Sequence, residues 1–162
     1  MHAADSTGGA NGTFAPDHAA LDAWIDAQVG FLAELVKVPT DTPPGDNAPH
    51  AERTATLLEG FGFAVERHPV PVDEVRDYGL VSITNLIVRR RHGEGPCVAL
   101  NAHGDVVPPG DGWTVPPYGG LVRDGRLYGR AAAVSKSDFA TYAFAVRALE
   151  AVASGRLRGS VE

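Results

Sequence analysis

Apolar side chains recur at helical spacing from Asp17 onward, with Leu21, Trp24, Ile25, Leu32, Leu35 and Val36 on one face of a 3.6-residue repeat. Asp17 is placed to cap the first turn, and Pro39 ends the segment. The next stretch, Pro39 to Asp46, carries prolines at 39, 43 and 44 and a glycine at 45, so it reads as an ordered loop. A second helix is predicted from His50 to Glu59, with Ala51, Ala55 and Leu58 on one face and Gly60 as its left-handed stop. Phe63–Val70 and Val81–Arg90 read as strands, and a turn at 91–96 leads into Cys97–Asn101, predicted as a buried central strand. The Asp124-Gly125 pair predicts a tight hairpin between Arg123 and Arg126, with Leu127 and Tyr128 on the return strand.

From Lys136 to Ala153 the apolar residues Phe139, Tyr142, Val146, Leu149 and Val152 repeat at three and four, and Ser154-Gly155 supplies a stop. Gly159–Glu162 then starts a further strand. Helices flanking several strands give an α/β fold class.

Composition narrows the picture. Residues 1–16 are rich in Ala, Gly, Ser, Thr and Asn and read as a disordered tail, which leaves 17–162 as one globular segment. With 44% hydrophobic and 21% charged residues, the chain has the profile of a packed domain. The net charge is −6 and the 14 Lys and Arg are scattered, so no nucleic-acid footprint is expected. No run approaches the ~20 apolar residues of a membrane span, and no signal-peptide pattern opens the chain. A soluble, cytoplasmic protein without membrane contact is expected. Cys97 is the single cysteine, which excludes an internal disulfide and a multi-cysteine zinc site. Its apolar neighbours predict a buried structural thiol.

Candidate chemistry begins where apolar Val98-Ala99-Leu100 gives way to Asn101-Ala102-His103-Gly104-Asp105. The C-terminal ends of strands are where α/β sheets place their sites. In extended chain residues 103 and 105 project to the same side, so the Asp105 carboxylate reaches one imidazole nitrogen while the other faces a metal. The competing reading of the same triplet is a capped turn or a satisfied surface pair. A succession of special residues follows: Pro108-Pro109-Gly110-Asp111, Trp113, Pro116-Pro117-Tyr118 and Asp124-Gly125-Arg126-Leu127-Tyr128-Gly129-Arg130.

Other polar and aromatic positions receive plainer readings. His2, His18, His68 and His92 are expected on the solvated surface. His50, at the start of a helix, is also assigned to the surface, with an approach to the cleft as the alternative. Trp113 and Tyr118 read as anchors of a long loop, with pocket walls as the alternative, and Arg130 and Lys136 as surface or interface charges, with neutralising an anionic substrate as the alternative. A nucleotide-binding reading lacks its Gly-rich phosphate loop.

Taken in order, Val38-Pro39-Thr40 with Pro43-Pro44-Gly45, Gly62-Phe63-Ala64-Val65, Thr84-Asn85-Leu86-Ile87, His103–Pro108 and Asp124–Arg130 carry a resemblance. The chain resembles the co-catalytic zinc amidohydrolase and metallopeptidase family that includes acetylornithine deacetylase, succinyl-diaminopimelate desuccinylase, aminoacylase and bacterial carboxypeptidases. That resemblance implies the N-terminal part of a zinc-peptidase-like catalytic domain, with a mixed sheet flanked by helices. It makes His103 a zinc ligand and Asp105 the catalytic-site residue that orients it. The implied substrate is a small N-acyl amino acid or a peptide-like molecule, cleaved at a C–N amide bond.

Two departures follow from the same resemblance. The family continues Gly-Ala-x-Asp-Met-Lys-Gly, whereas this chain reads Ala131-Ala132-Ala133-Val134-Ser135-Lys136-Ser137-Asp138. Val134 thus stands where the family's Asp bridges two zinc ions, which leaves one zinc or none. Asp138 is either a displaced ligand or, with Ser135, half of a capping box, and the cap is preferred. The family's catalytic glutamates follow a strand beginning near Val161, and its lid domain, the implied homodimer contact, lies beyond. The expectation is an N-terminal fragment, incomplete and inactive alone, whose sheet exposes an unpaired edge. The alternative is a catalytically silent remnant that binds metal or a partner weakly.

Overall fold

The computed structural model of the chain describes residues 18–153 and 155–162. The predicted tail with His2, the Asp17 cap and Ser154 lie outside these residues, as do the side chains of His18 and Leu21. Four helices and seven short strands are arranged as α1 (His18–Val36), α2 (Ala48–Gly60), β1 (Val65–Pro69), α3 (Val72–Asp77), β2 (Thr84–Val88), β3 (Arg90–Arg91), β4 (Cys97–Val98), β5 (Leu121–Arg123), β6 (Arg126–Tyr128), α4 (Lys136–Val152) and β7 (Ser160–Val161) among the described residues.

The strands pair in three groups. β1 and β2 form an antiparallel ribbon in the register Val65 to Val88 and Pro69 to Thr84. β7 lies between β3, antiparallel to it, and β4, parallel to it, so this small sheet is mixed. β5 and β6 form the expected hairpin, with Asp124 at φ 53° and Gly125 at φ 70° in the turn. These two left-handed residues match the right-handed twist of the flanking strands. The fold is mixed α/β.

The core gathers where α1, α2 and α4 meet. Phe31 and Leu35 of α1, Leu58 of α2, Phe63, and Ala140, Ala143, Phe144 and Val146 of α4 pack together. The rings of Phe61 and Phe144 meet edge to face at 5.2 Å, and Phe31 lies 6.1 Å from Phe144. Edge-to-face contact brings a ring's positive rim to its neighbour's negative face. The Arg147 guanidinium covers this aromatic group, 4.5 Å from Phe61 and 5.1 Å from Trp24.

Several expectations are corrected. Helix α2 starts two residues earlier than His50 and runs through Gly60, and the left-handed residue after it is Gly62, at φ 84°. The short helix α3 has no counterpart in the apolar periodicity. The outer stripe predicted for α1 and α4 is partly wet, with Ile25, Leu149 and Val152 exposed, because alanines and phenylalanines one step round take the inner positions.

The largest correction concerns Cys97–Asn101. Only Cys97 and Val98 are strand, and Cys97, Val98 and Leu100 are exposed. An apolar run is buried only where something covers it. β4 has β7 on one side and no second neighbour among the described residues. Beside it an apolar groove of about 350 Å³ runs between Phe63, Leu86, Leu100, Phe139 and Val161.

Candidate metal centre

His103 and Asp105 follow β4 on a segment with no regular structure, and Val106 makes a single parallel bridge to Asp41. Such a segment must find outside partners for its backbone. Every carbonyl from His103 to Pro109 accepts a hydrogen bond. Ser135 Oγ donates to His103 O at 2.6 Å, with Asp105 O at 3.4 Å. Thr40 Oγ1 donates to Gly104 O at 2.6 Å, and the Thr42 amide to Val106 O at 2.8 Å. Arg130 donates to Val107 O and Pro108 O, and Trp113 Nε1 to Pro109 O. The proline loop after α1 and the turn before α4 thus clamp the segment from two sides.

On this clamped backbone His103 Nδ1 lies 3.0 Å from Asp105 Oδ1. A carboxylate only accepts, so Nδ1 carries the proton and Nε2 keeps a free lone pair. Both side chains are about half exposed and face a cleft of about 440 Å³. Its other walls are Val106, Val107, Trp113, Arg130 and the turn 131–135. Trp113 is therefore both wall and anchor.

Val134 is 70% exposed on this same wall. An isopropyl group offers no lone pair, so the position that resemblance assigns to a bridging carboxylate cannot ligate. Among the described residues no three His, Cys, Asp or Glu side chains gather closely enough to hold one ion. The residues present fit one ligand and its orienting carboxylate, and they do not make a complete metal site. The capping box is overturned as well. Ser135 precedes α4 but makes no side-chain cap bond, because its hydroxyl is committed to the His103 and Asp105 carbonyls. Asp138 stays in the first turn of α4.

Next to the cleft lies a buried polar layer whose Lys136 is expected from sequence as a surface or interface charge. Lys136 is fully buried, and its Nζ donates to Leu35 O at 3.2 Å and Val38 O at 2.6 Å. These carbonyls lie at the end of α1 and just past it, where the helix dipole favours a cation. Burial lowers the Lys136 ammonium to about 8, against the opposing pull of the Asp41 carboxylate. Tyr118 donates to that carboxylate, and burial, then this hydrogen bond, raises its phenol.

His50 is the second correction. It is 3% exposed, its ring meets Phe139 edge to face at 5.7 Å, and its Nε2 has no hydrogen-bond partner among the described residues. Burial first, and the Lys136 charge second, hold it down to about 3, so the ring is neutral. The ring lies directly behind the site loop: a Cβ on Gly104 would stand 2.8 Å from His50 Nδ1. Only glycine fits between His103 and Asp105. His92 is also drawn in, half-buried with Nε2 at 3.7 Å from Glu150 Oε1, while His68 keeps its exposed position.

The profile of the peptidase family M20/M25/M40 matches residues 99–161, a stretch holding the His103–Asp105 pair, the hairpin and α4. A succinyl-diaminopimelate desuccinylase from Rhodospirillum centenum is 38% identical over 120 residues, covering 73% of this chain and 29% of that relative. The desuccinylase of Rhodospirillum rubrum is 39% identical over 115 residues, 71% of this chain and 27% of its own length. That of Methylobacterium nodulans is 37% identical over 129 residues, 78% of this chain and 31% of its own length. The chain thus spans under a third of the length of the curated relatives it matches. This likeness runs through the clamped loop and its His103–Asp105 pair, and over that stretch the chain is similar to the M20/M25/M40 family of peptidases.

Proposed function

We propose that the whole protein is a zinc-dependent hydrolase that cleaves the C–N amide bond of a small acylated amino acid or a peptide-like molecule. The observation that carries this reading is the His103–Asp105 pair, held at 3.0 Å on the cleft wall. Its Nδ1 is occupied by the carboxylate, which leaves one nitrogen for a metal. In such hydrolases a bound zinc ion supplies Lewis acidity toward the scissile carbonyl. This chain's part is narrower: Asp105 fixes the tautomer and aim of His103, and the clamped backbone fixes both. The relatives are named desuccinylases of succinyl-diaminopimelate, which favours an acyl group that itself carries a carboxylate. The cytoplasm as location and a homodimer formed through a lid domain belong to the same reading.

The chain by itself is proposed to be inactive, since it brings one ligand to the cleft and sets Val134 where a second would be needed. That exposed valine favours a second reading, a catalytically silent remnant that binds metal or a partner weakly. Zinc titration of the 162-residue chain, with His103→Ala and Val134→Asp variants alongside, separates the two. Weak zinc uptake that is lost in His103→Ala and strengthened in Val134→Asp supports the hydrolase reading. A wild type without zinc, and no gain in Val134→Asp, supports the remnant.

A further inference from the structure

Ser135 stands between the cleft-wall Val134 and Lys136, the first residue of α4. It is 2% exposed, and its backbone lies at φ 75°, ψ −82°. A serine before a helix ordinarily turns its hydroxyl to the helix's own free amides. Ser135 does not. Its Oγ instead reaches 32 residues back along the chain to His103 O at 2.6 Å. Asp105 O, at 3.4 Å, shares that one proton more weakly. A non-glycine residue at positive φ persists only where its surroundings over-determine it. Here the hydroxyl bonds are what the strained backbone supports.

The imidazole and carboxylate are 61% and 49% exposed, and an exposed side-chain pair does little to hold its own geometry. The geometry must come from the backbone beneath. Thr40 fixes the middle residue of the triplet through Gly104 O. Ser135 fixes the two residues that carry the chemistry.

We propose that Ser135 is a positioning residue, whose hydroxyl holds the backbone on both sides of Gly104 and so sets the contact through which Asp105 orients His103. The use of that orientation rests on the metal-ligand reading of His103. The experiment compares the wild-type chain with Ser135→Ala and Ser135→Gly. Alanine keeps the unfavourable φ and glycine relieves it, while neither has a hydroxyl.

Two readouts are taken: two-bond proton–nitrogen NMR correlations of the histidine rings at pH 8, and titration with zinc chloride. In both variants His103 is expected to pass from a single Nδ1-protonated tautomer to a mixture, with zinc affinity reduced roughly tenfold. Ser135→Gly does so while resisting urea as well as the wild type. A Ser135→Gly chain that keeps the wild-type tautomer and zinc affinity overturns the proposal. If the wild type takes up no zinc but both variants lose the tautomer, the positioning role stands and the metal-ligand reading of His103 falls.

Discussion

Acid is expected to destabilise the chain through His50. In the folded chain burial holds this ring down to about 3, whereas in the unfolded chain it titrates near 6.5. Between these values the unfolded chain binds a proton that the folded chain refuses, so lowering the pH favours unfolding. The contribution is whole above pH 6.5 and is lost as the pH falls toward 3. From pH 7 to pH 5 the linkage amounts to about 2 kcal/mol. The assay is urea unfolding followed by tryptophan fluorescence at the two pH values, for the wild type and for His50→Leu. Leucine keeps the packing volume beside Phe139 and removes the titrating group. The other acid-sensitive groups, such as Glu34 with Lys37 and Arg53, are common to both proteins and cancel. The wild type should therefore lose about 2 kcal/mol more than His50→Leu between pH 7 and pH 5. Equal losses in the two proteins would refute the burial of a neutral His50 behind Gly104.

Three further outcomes are expected. Gly104→Ala drives a Cβ into His50 Nδ1 at 2.8 Å and should destabilise the chain by about 1–3 kcal/mol in the same urea assay, and an unchanged midpoint would count against the contact. Ala131→Gly relieves a φ of 70° at the turn below the cleft and should stabilise by about 0.5–1 kcal/mol, read as a raised thermal midpoint; a lowered one contradicts that backbone. On the alkaline side, folded Lys136 loses its proton near pH 8 while the unfolded chain keeps it to about 10.5, so stability should rise from pH 8 to pH 10 by on the order of 2 kcal/mol. Lys136→Met should flatten that rise, and a wild-type curve that falls instead would place the ammonium in water.

What was legible in the sequence was local. The hairpin announced itself through Asp124-Gly125, and α4 through its three-and-four spacing, because turn chemistry and helix periodicity act between near neighbours. His103 and Asp105 were legible for the same reason, two residues apart at the end of an apolar run. What escaped was set by partners far along the chain. Lys136 looked like a surface charge because nothing nearby shows that Leu35 and Val38 offer it carbonyls. Ser135 looked like half of a capping box because Asp138 has the right spacing, while the carbonyl of His103 offers a shorter bond from elsewhere. Cys97–Asn101 was read as buried on its apolar character alone, and burial also needs a covering neighbour. His50 follows a proline in a polar stretch, and its ring enters the core only because Gly104 leaves room.

The hydrogen bonds that clamp the His103–Pro109 carbonyls also have a consequence in time. Thr40 reaches Gly104 across 64 residues, and Ser135 reaches His103 across 32. Loops of that length lose chain entropy before any contact rewards their closure, whereas α1, α2 and α4 form from neighbours within a turn. The cleft is accordingly completed only after the helices themselves have formed. Contacts made last are also those that local opening releases first. Amide exchange should therefore run faster at Thr42 and Val106 than at Leu35 or Phe144, so that His103 and Asp105 stand on backbone that opens more readily than the core behind it.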